Sequence, residues 1–366
     1  MTPLVLQPQS EAELGQMVRA AQGPVSLRGG GTRGVAYGPG TVLETAGLSG
    51  ITLYEPGALT LVAGAGTPLA EVEAVLVAQG QRLAFEAPDL RRALQRQGVS
   101  TLGGVVATNA SGPRRVQAGA ARDHLIGVRF VDGMGTVVKS GGRVMKNVTG
   151  LDLVKLMAGS HGTLGVITQV AFKLQAVPEC AVTLQTQVPL SAGLGLLRRA
   201  LGSPFEVSGA AYGPFGAALR VEGMAASVRY RAAALKALLG GGDWVETAGD
   251  ALWAGVRDAH GLDDGALWRV SCKPTAAEGV VGALAGVAHQ ATFDWGGGLI
   301  WIAVQGVGDA GAALIRGAVA GVGHATLMRG RGAAAFAPEA AGVAALSRAL
   351  RAQFDPKGIL NTGIMG

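Results

Sequence analysis

The chain has 366 residues, 49% of them hydrophobic and 15% charged, with a formal net charge of +6. That is enough apolar material for two domains, or one split domain with an insert, and it excludes general disorder. A sequence pI near 9.6 invites a nucleic-acid reading. No basic run exceeds two residues, however, and aromatics are only 5%, too few for base-stacking platforms, so nucleic acid is not an expected partner.

The first predicted helix starts at Ser10, with Glu13 completing a capping box and Leu14, Met17, Val18 and Ala21 on one face. A short strand, PVSL at 24–27, then runs into the glycine loop Arg28, Gly29, Gly30, Gly31, Thr32, Arg33, Gly34. Strands are expected over 41–48 and 51–63, the second broken by the tight turn Glu55-Pro56-Gly57. A second helix is expected from Thr67 as N-cap and Pro68 as first residue, burying Leu69, Val72, Val75 and Leu76 and stopping at Gly80.

Strand text returns over 125–139 with Asp132-Gly133 as its turn. A short helix over 151–158 and a strand over 165–174 close the region, and Pro178 marks a boundary. Residues from 180 to about 345 are Ala-rich and hold all five tryptophans, with a helix expected over 227–239. The closing stretch, FDPKGILNTG at 354–363, is turn-rich. Cys180 and Cys272 form no CxxC or metal spacing and read as reduced thiols of a cytosolic protein. The N-terminus lacks a signal-peptide pattern. The longest apolar stretch, 279–288, is about half of what a membrane span requires.

Positions 29, 31 and 34 spell G-x-G-x-x-G. A dinucleotide fingerprint of that form needs a helix immediately after it and an acidic residue ending the next strand. VAYGPG at 35–40 breaks a helix and strand text follows, so the Rossmann reading fails. The same glycines can still form a nest of backbone N–H groups around an anion. Two further small, polar segments, GVSTLGGVVATNASG at 98–112 and GSHGTLGVIT at 159–168, read as companion loops around one extended ligand with an anionic centre.

RGGGTRG at 28–34, VAGAGTPLAEV at 62–72, STLGGVVATNASG at 100–112, KNVTGLDLVKLMAGSHGTLGVIT at 146–168 and the closing FDPKGILNTG together resemble the FAD-binding domain of the vanillyl-alcohol oxidase/PCMH superfamily. ALWRVS at 266–271, FDWGGGLIW at 293–301 and HATLMRG at 324–330 are similar to the E subunits of bacterial glycolate oxidase. The resemblance implies an α+β protein: a PCMH-type FAD-binding domain of two α/β subdomains over 1–177, an α+β cap over 178–345, and a C-terminal return to the FAD domain over 346–366. It also implies a complex with a catalytic D-type flavin subunit and an iron–sulfur subunit. The function it implies is oxidation of glycolate or another 2-hydroxy acid in the cytoplasm, peripheral to the inner membrane through those partners.

Carried over onto this sequence, Arg28, Gly29, Gly30, Gly31, Thr32, Arg33 and Gly34 would wrap the FAD pyrophosphate. Ser100, Thr101, Gly103, Gly104, Thr108, Asn109, Ala110 and Ser111 would line its length. Gly162, Gly165, Val166 and Ile167 would approach it through their backbones, and Asn361 would return to the flavin side. The family's usual Glu is replaced by His161. Thr32 and Arg33 stand where some members carry a tethering His or Cys, so the FAD is expected to be non-covalent.

Oxidation of a 2-hydroxy acid needs a hydride acceptor, a base and a cation for the carboxylate. The five histidines, His124, His161, His260, His289 and His324, include no close pair, so no local metal site of the family's catalytic members is expected. Arg269, Arg329 or Arg331 remain as carboxylate clamps and His324 or His289 as bases. Two alternatives stand beside the dehydrogenase reading. One is an FAD-binding scaffold without chemistry of its own; the other is a stand-alone flavin oxidoreductase of another small alcohol or hydroxy acid.

Overall fold

The computed structural model describes residues 4–34, 39–142, 150–240 and 243–365. The helix-breaking stretch at 35–38 and the start of the KNVT motif, 146–149, lie outside the described residues.

The first helix, Glu11–Ala20, is capped as its sequence requires. Ser10 Oγ accepts from the Glu13 N–H at 3.2 Å, and the Glu13 carboxylate reaches back to the Gln9 N–H at 2.7 Å. The second, Leu69–Val77, begins one residue later than expected, with Pro68 rather than Thr67 at the cap. The Thr67 hydroxyl is used elsewhere, accepting from the Gly50 N–H at 2.9 Å and donating to the Gly64 carbonyl at 2.8 Å.

The polar segment 98–112 is not one loop. Helix Leu102–Ala107 occupies its middle, with Thr101 Oγ1 accepting from the Gly104 N–H at 3.3 Å. Leu102, Val105 and Val106 are fully buried, a spacing of three and four that suits one turn of helix against a core. Gly103 permits the approach, because a Cβ there would lie 2.8 Å from the Ala65 Cβ.

Among the described residues, the first half carries two larger sheets and a two-stranded antiparallel ribbon, Gln81–Arg82 with Gln175–Ala176. Val5–Leu6, Thr41–Glu44 and Val25–Arg28 form a parallel sheet with Thr41–Glu44 in the middle. Ile51–Glu55, Thr60–Gly64, Val166–Lys173, Leu125–Val131 and Val137–Gly141 follow one another in an antiparallel sheet of five. Helix Ala341–Phe354 runs through position 345 and returns the chain to this half. The Phe354 ring lies 6.0 Å from Phe130, and Asn361 and Val25 join by a backbone bond of 2.9 Å.

The eight-stranded antiparallel sheet of the second half decides what faces the first. On Ala266–Cys272, Trp268 and Val270 enter the core shared with helices Leu190–Leu201, Ala225–Leu239 and Ala312–Val319. The alternate residues Arg269 and Ser271 point to the opposite face. Gly323–Arg329 does the same, with Ala325 and Leu327 inside and His324, Thr326 and Met328 opposite. Gly216–Gly223 buries Leu219 and Val221 and turns Arg220 and Glu222 outward. The period of two thus gathers one row of polar side chains against the first half.

That row meets a buried ionic network. Glu222 pairs with Arg114 at 2.9 Å, Arg82 at 2.8 Å and Arg220 at 3.5 Å, and Glu86 pairs with Arg220 at 2.9 Å and Arg114 at 3.0 Å. Arg82, Glu86 and Arg114 belong to the first half and Arg220 and Glu222 to the second sheet. Burial alone would raise the Glu222 carboxyl. The Arg114 hydrogen bond and the charges of Arg220, Arg114 and Arg82 outweigh it and hold the group far below the usual carboxylate range.

Candidate functional site

Three cavities adjoin one another, two within the first half and its C-terminal return and the third between the halves. One of about 80 Å³ is walled by Gly29, Gly103, Gly104, Gly162, Gly165 and Ile167. The next, about 90 Å³, is bounded by the glycine loop, Thr101 and Thr108. Arg28, Gly29, Gly104, Ala107, His161 and Asn361 lie on both. The third, about 350 Å³, shares Arg33, Thr108 and His161 with the second and opens onto Arg269 and His324 of the second sheet and Trp295 of the turn after strand His289–Asp294. His161 therefore stands on all three.

The glycine loop is shaped by backbone crowding. Strand Val25–Arg28 delivers the chain into it, and a Cβ on Gly30 would fall 1.4 Å from the Val99 carbonyl oxygen. A Cβ on Gly29 would meet Thr101 Oγ1 at 2.7 Å, and Gly31 has φ +73°. The N–H groups of Gly30, Thr32 and Gly34 donate to no other described residue, which leaves donors for an anion. Arg28 is tied to Glu44 at 3.3 Å.

Arg33 is used differently from expectation. Its guanidinium is buried, donates to the Pro88 carbonyl and donates to Ser100 Oγ at 2.6 Å. Burial draws Arg33 down to about 10, with Asp89 and Asp258 opposing the shift. Ser100 is thereby occupied and is not on the walls of the three cavities.

The remaining predicted residues fall into two groups. Gly103, Gly104, Thr108, Gly162, Gly165, Val166 and Ile167 present backbone or small side chains to the cavities. Ala110, Asn109 and Ser111 line the large one, but the latter two also brace the wall. Asn109 Oδ1 accepts from the Arg122 N–H at 3.0 Å, and Ser111 Oγ accepts from the Ala121 N–H at 2.9 Å. Asn361 joins the halves of the cradle. Its Oδ1 accepts from the Leu27 N–H and its Nδ2 donates to the His161 carbonyl, both at 2.7 Å.

Of the catalytic candidates, Arg329 is not in the cavity. It donates to the carbonyls of Gly265 at 3.0 Å, Leu262 at 3.0 Å and Ala93, so it is a clamp between segments. Arg269 and His324 do face the cavity. Burial, and then the Arg269 charge, lower both His161, to about 4, and His324. His161 is partly buried, and its ring meets Phe336 edge-on at 5.1 Å. Arg115, Asp294 and Trp295 complete the cavity without having been singled out in the sequence. The signal available was the alternation in FDWGGGLIW, which places Phe293 in the core and Asp294 on the cavity side. Among the described residues, no group of three or more His, Cys, Asp or Glu is placed to hold a metal ion.

Asp294 is fully enclosed and its carboxyl is pushed up to about 7 by burial, while the Trp295 N–H bond opposes the shift. A carboxyl with a raised folded value destabilises the fold progressively as pH rises from its unfolded value, near 4, to about 7. Asp294→Asn is therefore expected to raise stability more at pH 8 than at pH 5, where only the first part of the penalty has developed. The gain at pH 8 should be on the order of 1–4 kcal/mol, because each tenfold change in proton affinity is worth about 1.4 kcal/mol. Thermal melts at the two pH values check this; an equal effect at both would contradict it.

A family model described as "FAD binding domain" matches residues 2–141. Glycolate oxidase subunit GlcE of Escherichia coli (strain K12) is 32% identical over 348 residues, covering 93% of this chain and 92% of that protein. This chain belongs to the GlcE family of PCMH-type FAD-binding proteins. Shorter matches, 41% identical over 86 residues and 40% over 90, are to glycolate oxidase subunit GlcD of Bacillus subtilis (strain 168) and a mitochondrial D-lactate dehydrogenase [cytochrome] of Arabidopsis thaliana. They cover 24% and 25% of this chain and 18% and 16% of those proteins. A solved alkyldihydroxyacetonephosphate synthase has the same fold, with TM-score 0.71 at 18% identity over 99% of this chain and 77% of its own.

Proposed function

We propose that this chain holds FAD non-covalently and serves, in a complex with a D-type flavin subunit and an iron–sulfur subunit, to oxidise a small 2-hydroxy acid to the 2-oxo acid. The observation that carries the reading is the row of adjoining cavities that share His161 as a wall, from the glycine loop at one end to Arg269 and His324 at the other. The donors and the missing Cβ atoms at Gly29, Gly30 and Gly104 fit a pyrophosphate and a flat ligand. When bound, FAD supplies the acceptor for a hydride from the carbinol carbon. His324, whose value is lowered by desolvation and by the Arg269 charge, is the candidate base for the hydroxyl proton. The membership in the GlcE family supports assembly with partners. No helix among the described residues is long and apolar enough to cross a membrane, and the proposed location is the cytoplasm, against the inner membrane through the partners.

The purified protein is expected to be yellow, with FAD released by acid. A colourless preparation that takes up no FAD on reconstitution overturns the cofactor reading. Negligible glycolate or D-lactate oxidation is expected from the isolated chain with an artificial acceptor, and robust turnover in isolation overturns the dependence on partners.

A further inference from the structure

Among the described residues, most deep arginines are matched by oxygen atoms. Arg33, Arg114, Arg220 and Arg329 each donate to carboxylates, carbonyls or a hydroxyl. Arg269 lies at the floor of the large cavity, enclosed by protein yet reached by the cavity's solvent. Its guanidinium donates to no described residue. That group sits over the Trp295 ring at 5.5 Å, and the Arg115 guanidinium, also without a hydrogen-bonded partner among the described residues, approaches the same ring at 4.9 Å. Trp295 is fixed in turn, its Nε1 donating to the Gly112 carbonyl at 3.1 Å.

Two cations held close together without an ion pair are costly, because the Trp295 ring and the charges of Asp294 and Asp123 offset desolvation and mutual repulsion only in part. The neighbouring carboxyl of Asp294 is too strongly buried to act as a full counter-charge at neutral pH. The remaining ionisable groups on the cavity wall are Arg33, Arg122, Arg257, His161 and His324, none of them an anion. Arg257 is already bonded to Asp258 at 2.7 Å.

We infer that Arg269 and Arg115, spaced by Trp295, form the subsite for the carboxylate of a small organic acid. A planar guanidinium fork matches a carboxylate bidentately. The anchored acid then lies beside His324, Ser271 and Thr326, which face the same space. This deepens the functional reading above and rests on it for the identity of the acid as a 2-hydroxy or 2-oxo acid.

The test is calorimetric titration with oxalate as the probe, on the full chain with and without FAD. Arg269→Met and Arg115→Met are expected to weaken oxalate binding by about ten- to a hundredfold each, the effect of removing a charge-assisted pair. The exposed Arg348→Met is expected to match wild type, and FAD content should be unchanged in all three. Arg115→Met, lying nearer the surface, keeps the test open if Arg269→Met does not fold. Oxalate binding that survives both substitutions overturns the inference. So does oxalate that displaces FAD, or loss of FAD from both variants, since the arginines would then serve the cofactor. If the chain takes up no FAD yet binds oxalate through these arginines, the subsite stands and the flavin reading falls.

Discussion

Replacing Glu222 with glutamine is expected to cost about 3–5 kcal/mol, the usual penalty for leaving buried charges without a partner. Arg82, Arg114 and Arg220 would then share Glu86 alone, inside a region from which water is largely excluded. Exposed pairs behave differently. Lys236–Glu246 lies on the surface, and Glu246→Gln should change stability by less than about 1 kcal/mol. Urea unfolding of the two variants makes the comparison, and a Glu222→Gln midpoint as close to wild type as that of Glu246→Gln would show that the network does not hold the halves together. The pH dependence has a definite sign. Both Glu86 and Glu222 are held below their ordinary values, Glu86 because its burial is outweighed by Arg220 and Arg114. Their contribution is complete above the unfolded value, near 4.3, and is lost as pH falls through the folded ones. Glu222→Gln should therefore flatten part of the acid limb of the stability profile.

The second large effect is expected in the glycine loop. A methyl group at Gly30 would have to occupy the position of the Val99 carbonyl, and Gly98 in turn crowds the Gly30 carbonyl, at 2.0 Å from an added Cβ. Neither clash is with a flexible side chain, so Gly30→Ala must move the backbone of one segment or the other. FAD content is expected to fall by about tenfold or more, since displaced N–H donors no longer converge on one anion. Gly195 makes the control: it lies in helix Leu190–Leu201 with nothing within 4 Å of an added Cβ. Gly195→Ala should stabilise by about 0.5–1 kcal/mol and keep FAD unchanged. The ratio of flavin to protein absorbance reads both, and a fully loaded Gly30→Ala protein would contradict the cradle described for residues 28–34.

Much of the architecture is carried by local pattern. The Ser10 cap, the break at Glu55-Pro56-Gly57, the strand into the glycine loop and the helix before Gly240 follow from capping chemistry, turn residues and apolar spacing, all short-range effects. The segment 98–112 misled because its small polar residues resemble a loop, whereas Leu102, Val105 and Val106 gain their helix from a core that the segment does not itself contain.

The sequence by itself determined the glycine loop's character and the family's motifs, because these depend on residues close along the chain. It also excluded a Rossmann helix after Gly34. Only the tertiary structure decided which arginines are free to act. Arg33 and Arg329 are spent on carbonyls contributed from Pro88 and Ala93, positions 55 and 236 residues away. Arg269, on a strand whose alternate residues fill the core, is left facing the cavity beside Arg115. An arginine's role is fixed by the oxygen atoms it meets, and those are supplied by distant chain.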